Sequence, residues 1–488
     1  MLHHQSQVRK TRRRESIMCY FLINPYIVDT NLDGPKTERP LSTNDIKIIT
    51  TIAGTGLSIG ESDNVVATAA YLFRPNDMIV DEVGNTYILD TGNSAVRFVT
   101  KSTGIMNTIA GSGARVYDGD NADAKLASFD NPGAFAIDLT GNIYIADTDS
   151  NRIRLVTKST GIITTVAGNG IEDSLGDGLL ATLASIHTPY GIAVDALGNL
   201  YISEYNGYRI RLVTASTGII TTIAGTGDSG FNGDNILATS ANFEGPTGMC
   251  LDDLGNLYIA DFRGSRVRLI TMSTGIITTV AGTGSQGYNG DDILASDAQL
   301  VTPGGLTLDT FGNLYIADIF DNRIRLITKS TGIITTIVGN GTSGYNGDDI
   351  LPTSALLFNP SGVKVDKFGD VYIADNINNR IRKVTLQATP TSMPSSVPTS
   401  KPSAVPTSKP SAVPTSKPSA KPSFKPSAVP TSKPSAVPTS KPSASPTSMP
   451  SAVPTSKPSA VPTSMPSAVP TSKPSNPKKN PTSPIKTC

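Results

Sequence analysis

Several residue types that often carry chemistry are scarce in this chain. Its 488 residues include no tryptophan, three cysteines and three histidines, and only His187 lies between residues 46 and 387. Cys19, Cys250 and Cys488 are far apart, which excludes closely spaced zinc ligands and a small disulfide framework. No run of about 18 apolar residues occurs, so we predict no transmembrane segment.

Acidic residues are missing from one part of the chain and in excess in another. Residues 388–488 contain 12 lysines and no Asp or Glu, whereas residues 46–387 contain 22 Lys and Arg against 35 Asp and Glu, a net charge of −13. Nucleic-acid binding needs a basic surface, because neutralised phosphates supply most of the affinity. We therefore predict no nucleic-acid partner for the acidic part.

A 57-residue repeat fills the acidic part. The stretch YIADTDSNRIRLVTKSTGIITTVAGNG at 144–170 returns as YIADIFDNRIRLITKSTGIITTIVGNG at 315–341. A turn glycine falls at every 57th position, at Gly84, Gly141, Gly198, Gly255, Gly312 and Gly369. Six copies without insertion or deletion indicate units that pack on their neighbours.

Each copy has the pattern of four short strands. In the third copy they are YGIAVD (190–195), NLYISE (199–204), RIRLVT (209–214) and IITTIA (219–224), rich in Ile, Val, Tyr and Thr. Gly198 and Gly218 suit the tight turns after the first and third strands. The strands are apolar on both faces, so each sheet needs a neighbour on both sides, which favours sheets arranged around an axis.

The two ends of the array complement each other. It begins with KIITTIAG (47–54), a fourth strand without the first three, and ends with VYIADNINNRIRKVT (371–385), which lacks a fourth strand. An open array would leave both edges unpaired. We therefore predict an all-β fold at 46–387: a six-bladed β-propeller of four-stranded antiparallel blades, with the N-terminal strand closing the last blade. A poorly ordered basic leader (1–45) precedes it, and a disordered tail (388–488) follows.

The repeat resembles the NHL-repeat family. P-x-G-(I/V)-x-(V/L)-D, G-N-(L/I)-Y-I-A-D, N-R-I-R and the loop G-D-x-x-x-A-x-x-A-x-(L/F) carry the resemblance over about 340 residues. Each copy carries an extended spacer, as the NHL region of teneurins and secreted bacterial and algal propellers do. The resemblance implies a six-bladed propeller. It implies no single function, because family members serve as enzymes, RNA binders, sensors and adhesion modules.

Charged residues present in nearly every copy are expected to serve the fold. An acidic residue ends each second strand, and in copies 2 to 6 an arginine begins the third strand opposite it, as Asp147 and Arg152 do; this predicts a cross-strand ion pair. The aspartate that ends each first strand, such as Asp195, is expected to bond to the backbone of the following turn.

The loops between copies carry a second pattern. Asp234, Ala238 and Ala241 are spaced i, i+4 and i+7, which predicts a short helical turn with its alanines against the rim. YDGDNAD (117–123) and YNGDD (288–292) cluster carboxylates as calcium loops do, but they lack the terminal bidentate glutamate of an EF-hand. We predict that these carboxylates cap the loops, and we predict no metal site.

The copies diverge in the loops between the second and third strands. Copies 3 to 5 place Tyr205, Tyr208, Phe262, Arg263 and Phe320 there. Aromatic residues beside arginine are enriched at recognition sites, which predicts a ligand-binding patch. The alternative is that these rings pack on the loops between blades.

One first-strand residue also departs from the repeat. Lys364 stands where the other copies have Ile, Ala, Ala, Cys and Thr. We predict that it lines the central channel; the alternative is that its long side chain simply extends to water.

The resemblance also implies two kinds of enzyme. Amidating lyases use a zinc site with histidines, which a propeller with one histidine excludes. Gluconolactonase-like enzymes hold calcium with a Glu/Asn/Asn/Asp set, and no odd carboxylate set is evident here. We predict no cofactor and a non-catalytic propeller that binds a protein or carbohydrate on the divergent face. A secreted calcium-dependent hydrolase or lactonase is the alternative.

The tail has a proline at every fourth residue from Pro390 to Pro474, in units such as PTSKPSAV. This composition forms no core and gives a semi-extended chain. Ser and Thr beside Pro resemble glycosylated cell-wall stalks. RKTRRR followed by IMCYFLI (17–23) has the order of a signal peptide without a clear cleavage site. We expect a monomeric propeller, extracellular or wall-associated; the alternative is cytoplasmic.

Overall fold

A computed structural model describes residues 46–59 and 62–387, and the predictions for the leader and the tail lie outside these residues. The described strands form six antiparallel sheets. The first strand of each sheet contacts the first strand of the next, and the sixth contacts the first. The sheets are therefore the blades of a closed six-bladed propeller, as predicted.

Each blade contributes four main strands, which are named by their order in the blade and run from blade 1 to blade 6. The first strands, which surround the axis, are Asp77–Val80, Phe135–Ile137, Pro189–Val194, Pro246–Leu251, Pro303–Leu308 and Pro360–Val365. The second strands are Thr86–Asp90, Ile143–Asp147, Leu200–Glu204, Leu257–Asp261, Leu314–Asp318 and Val371–Asp375. The third strands are Ala95–Val99, Arg152–Val156, Arg209–Val213, Arg266–Thr271, Arg323–Thr328 and Arg380–Gln387. The fourth strands are Ile105–Ala110, Ile162–Ala167, Ile220–Ala224, Ile276–Ala281, Ile333–Val338 and, for blade 6, Ile46–Ala53.

The N-terminal strand closes blade 6. Ile46–Ala53 pairs antiparallel with Arg380–Gln387, from the Ile46–Gln387 pair at one end to Ala53–Ile381 at the other. Ile49 is fully buried and packs with residues of blades 5 and 6. The closure predicted from the ends of the array is confirmed.

Apolar residues form a core between each pair of neighbouring blades. In the described part of the chain, six buried clusters correspond to the six interfaces, and the cluster between blades 6 and 1 closes the ring with Leu72, Met78 and Ile381. Stability is therefore spread around the ring, and each blade depends on both of its neighbours.

The loops between blades cover the outer edges of the sheets. Two-residue strands pair with the fourth strands of four blades: Val65–Val66, Ala122–Asp123, Ile236–Leu237 and Ile293–Leu294. Single bridges, Leu180 to Ile219 and Ile350 to Ile49, do the same for blades 3 and 6. Short 3₁₀ helices occur at Ala67–Ala69, Thr91–Asn93, Ala238–Ser240, Ala295–Asp297 and Pro352–Ser354. The predicted helical turn is thus confirmed as 3₁₀, with Ala238 and Ala241 buried.

The ion pairs across the second hairpin differ from the prediction. Asp147 and Arg152 are direct partners in the register, as predicted. The Asp147 carboxylate, however, lies 3.4 Å from Arg154, and Arg152 donates to the carbonyl oxygens of Ser150 and Asn169. Residues i and i+2 of a strand share a face, so Arg154 reaches the same carboxylate diagonally and is completely buried. The prediction of the first arginine as the partner was wrong.

The acidic loops also supply carboxylates to the buried arginines, a second one for Arg154 and the one nearest to Arg325. Asp120 lies 2.8 Å from Arg154, and Asp291 lies 3.1 Å from Arg325 and accepts a hydrogen bond from Thr336. The Tyr117 ring packs under both Arg152 and Arg154. Asp120 and Asp291 thus pair with arginine, which the sequence did not predict, whereas Asp118 and Asp123 cap the loop as predicted by accepting hydrogen bonds from the backbone N–H groups of Ser128 and Lys125.

The turn aspartates also act as predicted. Asp195 accepts hydrogen bonds from the backbone N–H groups of Leu197 and Asn199 and from the Asn199 side chain. These turns lie on one face of the propeller, which we call the lower face. The loops between second and third strands lie on the other, the upper face.

Candidate functional site

The first strands line the central channel with small residues. A proline begins or precedes each first strand. Two residues after it, the six blades carry Asp77, Ala134, Gly191, Gly248, Gly305 and Gly362. Neighbouring first strands approach closely here, since a Cβ at Gly305 would lie 2.6 Å from the carbonyl oxygen of Ser361. Glycine is therefore required for packing at this position in blades 3 to 6.

Two charged residues interrupt this small lining. Asp77 and Lys364 come from blades 1 and 6, which are neighbours, and the Lys364 ammonium lies 3.9 Å from Asp77 Oδ1. Burial raises the pKa of Asp77, and the lysine partly opposes that shift. Lys364 lines the same depression as Asp77, among the first strands. No role was predicted for Asp77, although the other five copies have alanine or glycine at its position.

Polar groups continue from this pair to the upper end of the channel. The Asn76 side chain donates to the carbonyl of Gly133 and to the Tyr190 hydroxyl, at 2.5 and 3.1 Å. Ser361 donates to the carbonyl of Asn76 at 2.8 Å. We call Asn76, Asp77, Ser361 and Lys364 the axial polar group; together with Tyr190 and Phe262 they line one depression at the channel mouth.

Two aromatic rings that line this depression, Tyr190 and Phe262, belong to a row of neighbouring rings. The ring centroids of Tyr190 and Tyr205 are 6.0 Å apart, those of Tyr205 and Phe262 6.1 Å, and those of Phe262 and Phe320 6.2 Å. We call these four residues the aromatic row. The Arg263 guanidinium lies 4.9 Å from the Tyr205 centroid. The structure thus brings four of the five predicted residues together and adds Tyr190.

Tyr208 does not join the row. It has a φ of 52°, as its counterparts Asn151 and Ser265 do at 52° and 50°. This left-handed turn conformation directs the Tyr208 side chain against the buried cluster between blades 3 and 4. Its inclusion in the predicted patch is corrected, because its local role is packing.

The row lies on a fixed backbone and is partly exposed. Backbone N–H groups of Tyr205, Phe262 and Phe320 donate to carbonyls of the preceding loops, those of Thr188, Gly245 and Val301. Phe320 is 55% exposed, whereas Tyr205 and Phe262 are half-buried. Tyr205 also packs against Gly245. The alternative of rim packing therefore holds for part of the Tyr205 surface.

The channel mouth has an apolar half and a polar half. At one loop position, blades 3, 4 and 5 carry Tyr205, Phe262 and Ile319, and blades 6, 1 and 2 carry Asn376, Thr91 and Thr148. Asn376 and Thr91 donate to the carbonyls of Pro75 and Pro132 in the next blade. The side chains of the polar half thus form hydrogen bonds between neighbouring blades. The rings of the apolar half make no such bonds in the described part of the chain and can contact a ligand.

Buried carboxylates beneath the upper loops have raised pKa values. Burial raises the pKa of Asp318 to about 8, with a further contribution from Asp321, and burial raises that of Asp261 to about 7. Asp318 Oδ1 accepts the Val301 N–H, but its Oδ2 has no partner among the described residues. The acid form of Asp318 is therefore favoured in the folded state.

We expect the melting temperature to fall by several degrees between pH 5 and pH 8. The folded state holds these protons more tightly than the unfolded chain, so stability decreases as pH rises from about 4 through about 8 and is level above. Asp318→Asn should flatten this profile, and Asp228→Asn, at an exposed carboxylate, should not. An unchanged slope in Asp318→Asn would contradict the assignment; differential scanning fluorimetry across pH measures it.

The described part of the chain has neither a metal-ion cluster nor a membrane-spanning helix. Residues 46–59 and 62–387 contain no group of three or more His, Cys, Asp or Glu side chains that could hold a metal ion. Within the same residues no helix is long and apolar enough to cross a membrane.

Comparison with known proteins identifies the repeat. The NHL repeat family model matches residues 243–268, which run from the loop before blade 4 into its third strand. Over 339 residues the chain is 26% identical to Protein SUPPRESSOR OF QUENCHING 1, chloroplastic, of Arabidopsis thaliana, covering 67% of this chain and 31% of that protein. It is 27% identical over 353 residues to NHL repeat-containing protein 2 of Bos taurus, covering 66% and 48%.

Two further matches concern teneurins and a solved structure. The chain is 31% identical over 283 residues to Teneurin-4 of Mus musculus, covering 50% of this chain and 10% of that protein. A structural genomics protein of unknown function from Bacteroides thetaiotaomicron superposes with a TM-score of 0.53 at 19% identity, covering 70% and 76%, and shows the fold alone. The chain thus contains an NHL repeat at residues 243–268 and folds as a six-bladed β-propeller, as the motifs predicted. It spans less than half the length of these curated relatives.

Proposed function

We propose that the chain is a non-catalytic interaction propeller that binds its ligand at the upper channel mouth. The observation that carries the proposal is the asymmetry of the mouth. Six nearly identical blades would give a symmetric rim, yet among the loops between second and third strands only those of blades 3 to 5 carry aromatic rings. An apolar surface beside a few convergent polar groups is typical of ligand sites.

The alternative of a calcium-dependent hydrolase has less support in the site. The axial polar group contributes one carboxylate, Asp77, and that carboxylate faces the Lys364 ammonium. A cation beside the only acid opposes calcium binding. A ligand-binding role does not require a set of carboxylates at the channel mouth.

An extracellular or wall-associated location is part of the proposal. It is supported by the composition of residues 388–488, whose Pro, Ser and Thr units are typical of glycosylated stalks. Mass spectrometry of the native protein would test it: glycosylated Ser or Thr in the tail supports the location, and an unmodified tail contradicts it.

We expect the aromatic row to be necessary for binding. Tyr205→Thr, Phe262→Thr and Phe320→Asn place in blades 3 to 5 the residues of equivalent positions, Thr91 and Asn206, so the fold should tolerate them. The triple variant should lose at least about tenfold in affinity, because stacking area is removed. Binding is measured with the full chain on an oligosaccharide array and a phage-displayed peptide library.

The lower face offers a matched control. Phe311 is 66% exposed there, and Phe311→Thr, which copies Thr140, removes an aromatic ring far from the mouth. The control should bind like the parent protein. Unchanged binding by the triple variant contradicts the proposal, and a large fall in its melting temperature would show that the rings serve packing instead.

A further inference from the structure

We propose that the channel mouth recognises the terminal sugar residue of a neutral oligosaccharide. This inference rests on the proposed binding function and specifies its ligand. It assigns the aromatic row to the apolar face of the sugar ring and the axial polar group to its hydroxyls.

The pairing of Asp77 with Lys364 is the first step of the argument. Each residue breaks the repeat at its own position, and the two meet across the junction of blades 6 and 1. Their separation of 3.9 Å is too long for a direct hydrogen bond. Lys364 makes no hydrogen bond to any other described residue, so its ammonium group has donors available.

A hydroxyl group complements this pair. It can donate to the Asp77 carboxylate, which only accepts, and accept from the Lys364 ammonium, which only donates. The Asn76 amide and the Tyr190 hydroxyl, 3.1 Å apart, extend the same mixture of donors and acceptors. A charged ligand group would meet a like charge as well as an opposite one. A neutral polyol meets no such penalty.

The rings supply the second half of the site. Tyr190 belongs to the aromatic row and also contacts the axial polar group, so the two kinds of surface are continuous. A sugar ring has an apolar C–H face and a hydroxyl edge, and it needs both surfaces side by side. Tyr190 and Phe262 line the depression together with the axial polar group, so both kinds of surface face one space.

The net charge of the propeller and the size of the depression restrict the class of ligand further. Residues 46–387 carry a net charge of −13, which disfavours acidic glycans at long range. The depression is lined by glycines such as Gly248 and Gly305 and has a volume of about 40 Å³, so it can receive the hydroxyl groups of a terminal residue but not a sugar ring, which stays on the aromatic row. These features favour a terminal neutral sugar over a uronate or an internal segment.

Full-length protein should therefore select neutral oligosaccharides attached through their reducing ends. The array carries glucans, mannans and galactans, the same oligosaccharides with blocked non-reducing ends, and uronate oligomers. Affinity for each neutral hit is then measured by titration calorimetry. We expect binding to neutral, unblocked chains, and loss of binding when the non-reducing end is blocked.

Variants separate the axial polar group from the aromatic row. The double variant Asp77→Gly with Lys364→Thr copies Gly191 and Thr307 of other blades and should bind at least about tenfold more weakly at an unchanged melting temperature. Tyr190→Phe removes one oxygen only and should weaken binding by about three- to tenfold, as the loss of one hydrogen bond predicts. Phe311→Thr should have no effect.

The outcomes distinguish this inference from the proposed function. If only peptides are selected and the aromatic triple variant loses them, the binding function stands and the sugar inference is wrong. Selection of uronates alone, or unchanged affinity of the Asp77 and Lys364 double variant for a neutral sugar, also overturns the inference. If no ligand depends on the aromatic row, both proposals fail.

Discussion

Deleting residues 1–54 should lower the melting temperature by more than 15 °C, about the effect of several buried residues lost together, and should cause aggregation. The deletion removes the whole fourth strand of blade 6, including the fully buried Ile49, and exposes the edge of Arg380–Gln387. Truncating one such buried side chain alone costs about 2–5 kcal/mol, and an unpaired edge strand invites intermolecular pairing. Fluorimetry and size-exclusion chromatography measure the two effects.

A deletion at the other end is the matched control. Removing residues 390–488 takes away more of the chain but no described strand, and we expect the melting temperature to stay the same. A monomeric protein that melts normally after deletion of residues 1–54 would contradict the closure of the ring by the N-terminal strand Ile46–Ala53.

Arg211→Met should destabilise the protein by about 3–5 kcal/mol, as the removal of one partner from a buried ion pair does elsewhere. Arg211 is fully buried, 2.9 Å from the equally buried Glu204 and 2.8 Å from Asp177. Without it, Glu204 is left as a buried acid without a cation. Chemical unfolding with urea, followed by fluorescence, measures the loss.

Removing the second charge separates electrostatics from packing. Arg211→Met combined with Glu204→Gln should recover a large part of the stability, because no unpaired charge remains buried. Arg263→Met, at an exposed arginine of the upper face, should change stability by less than about 0.5 kcal/mol. Equal losses in the single and double variants would show that Arg211 acts through packing alone.

The architecture could be predicted from the sequence because the same pattern of strands and turns occurs in six copies. The strands predicted at 190–195 and 209–214 are Pro189–Val194 and Arg209–Val213, each within one residue at either end. The closure could be predicted from the ends of the array, because the array begins with a single fourth strand and its last copy lacks one. The N-terminal strand can therefore complete the last blade. Fixed spacing and strand patterning are local signals, and no long-range information was needed.

The candidate site was less predictable because it depends on contacts between blades. Joining Asp77 to Lys364 requires that the ring be closed first, since 287 residues separate them. Tyr208 was misplaced because its aromatic side chain suggested recognition, although Asn at the equivalent position in other copies indicates a left-handed turn residue. Asp147 was assigned the wrong arginine, Arg152 in place of Arg154, because direct and diagonal neighbours on one strand face have the same sequence signature.

The closure of blade 6 has a mechanical consequence. Ile46 and Gln387 are paired at the end of one antiparallel ladder, so a pulling force applied between the two ends of the propeller acts on that pair first. The inter-strand hydrogen bonds lie along the direction of such a force and not across it. They break one pair at a time, in the manner of a zipper, and each step needs little force. Tension on the chain therefore opens the ring at blade 6 and releases the N-terminal strand Ile46–Ala53 before any other blade is strained.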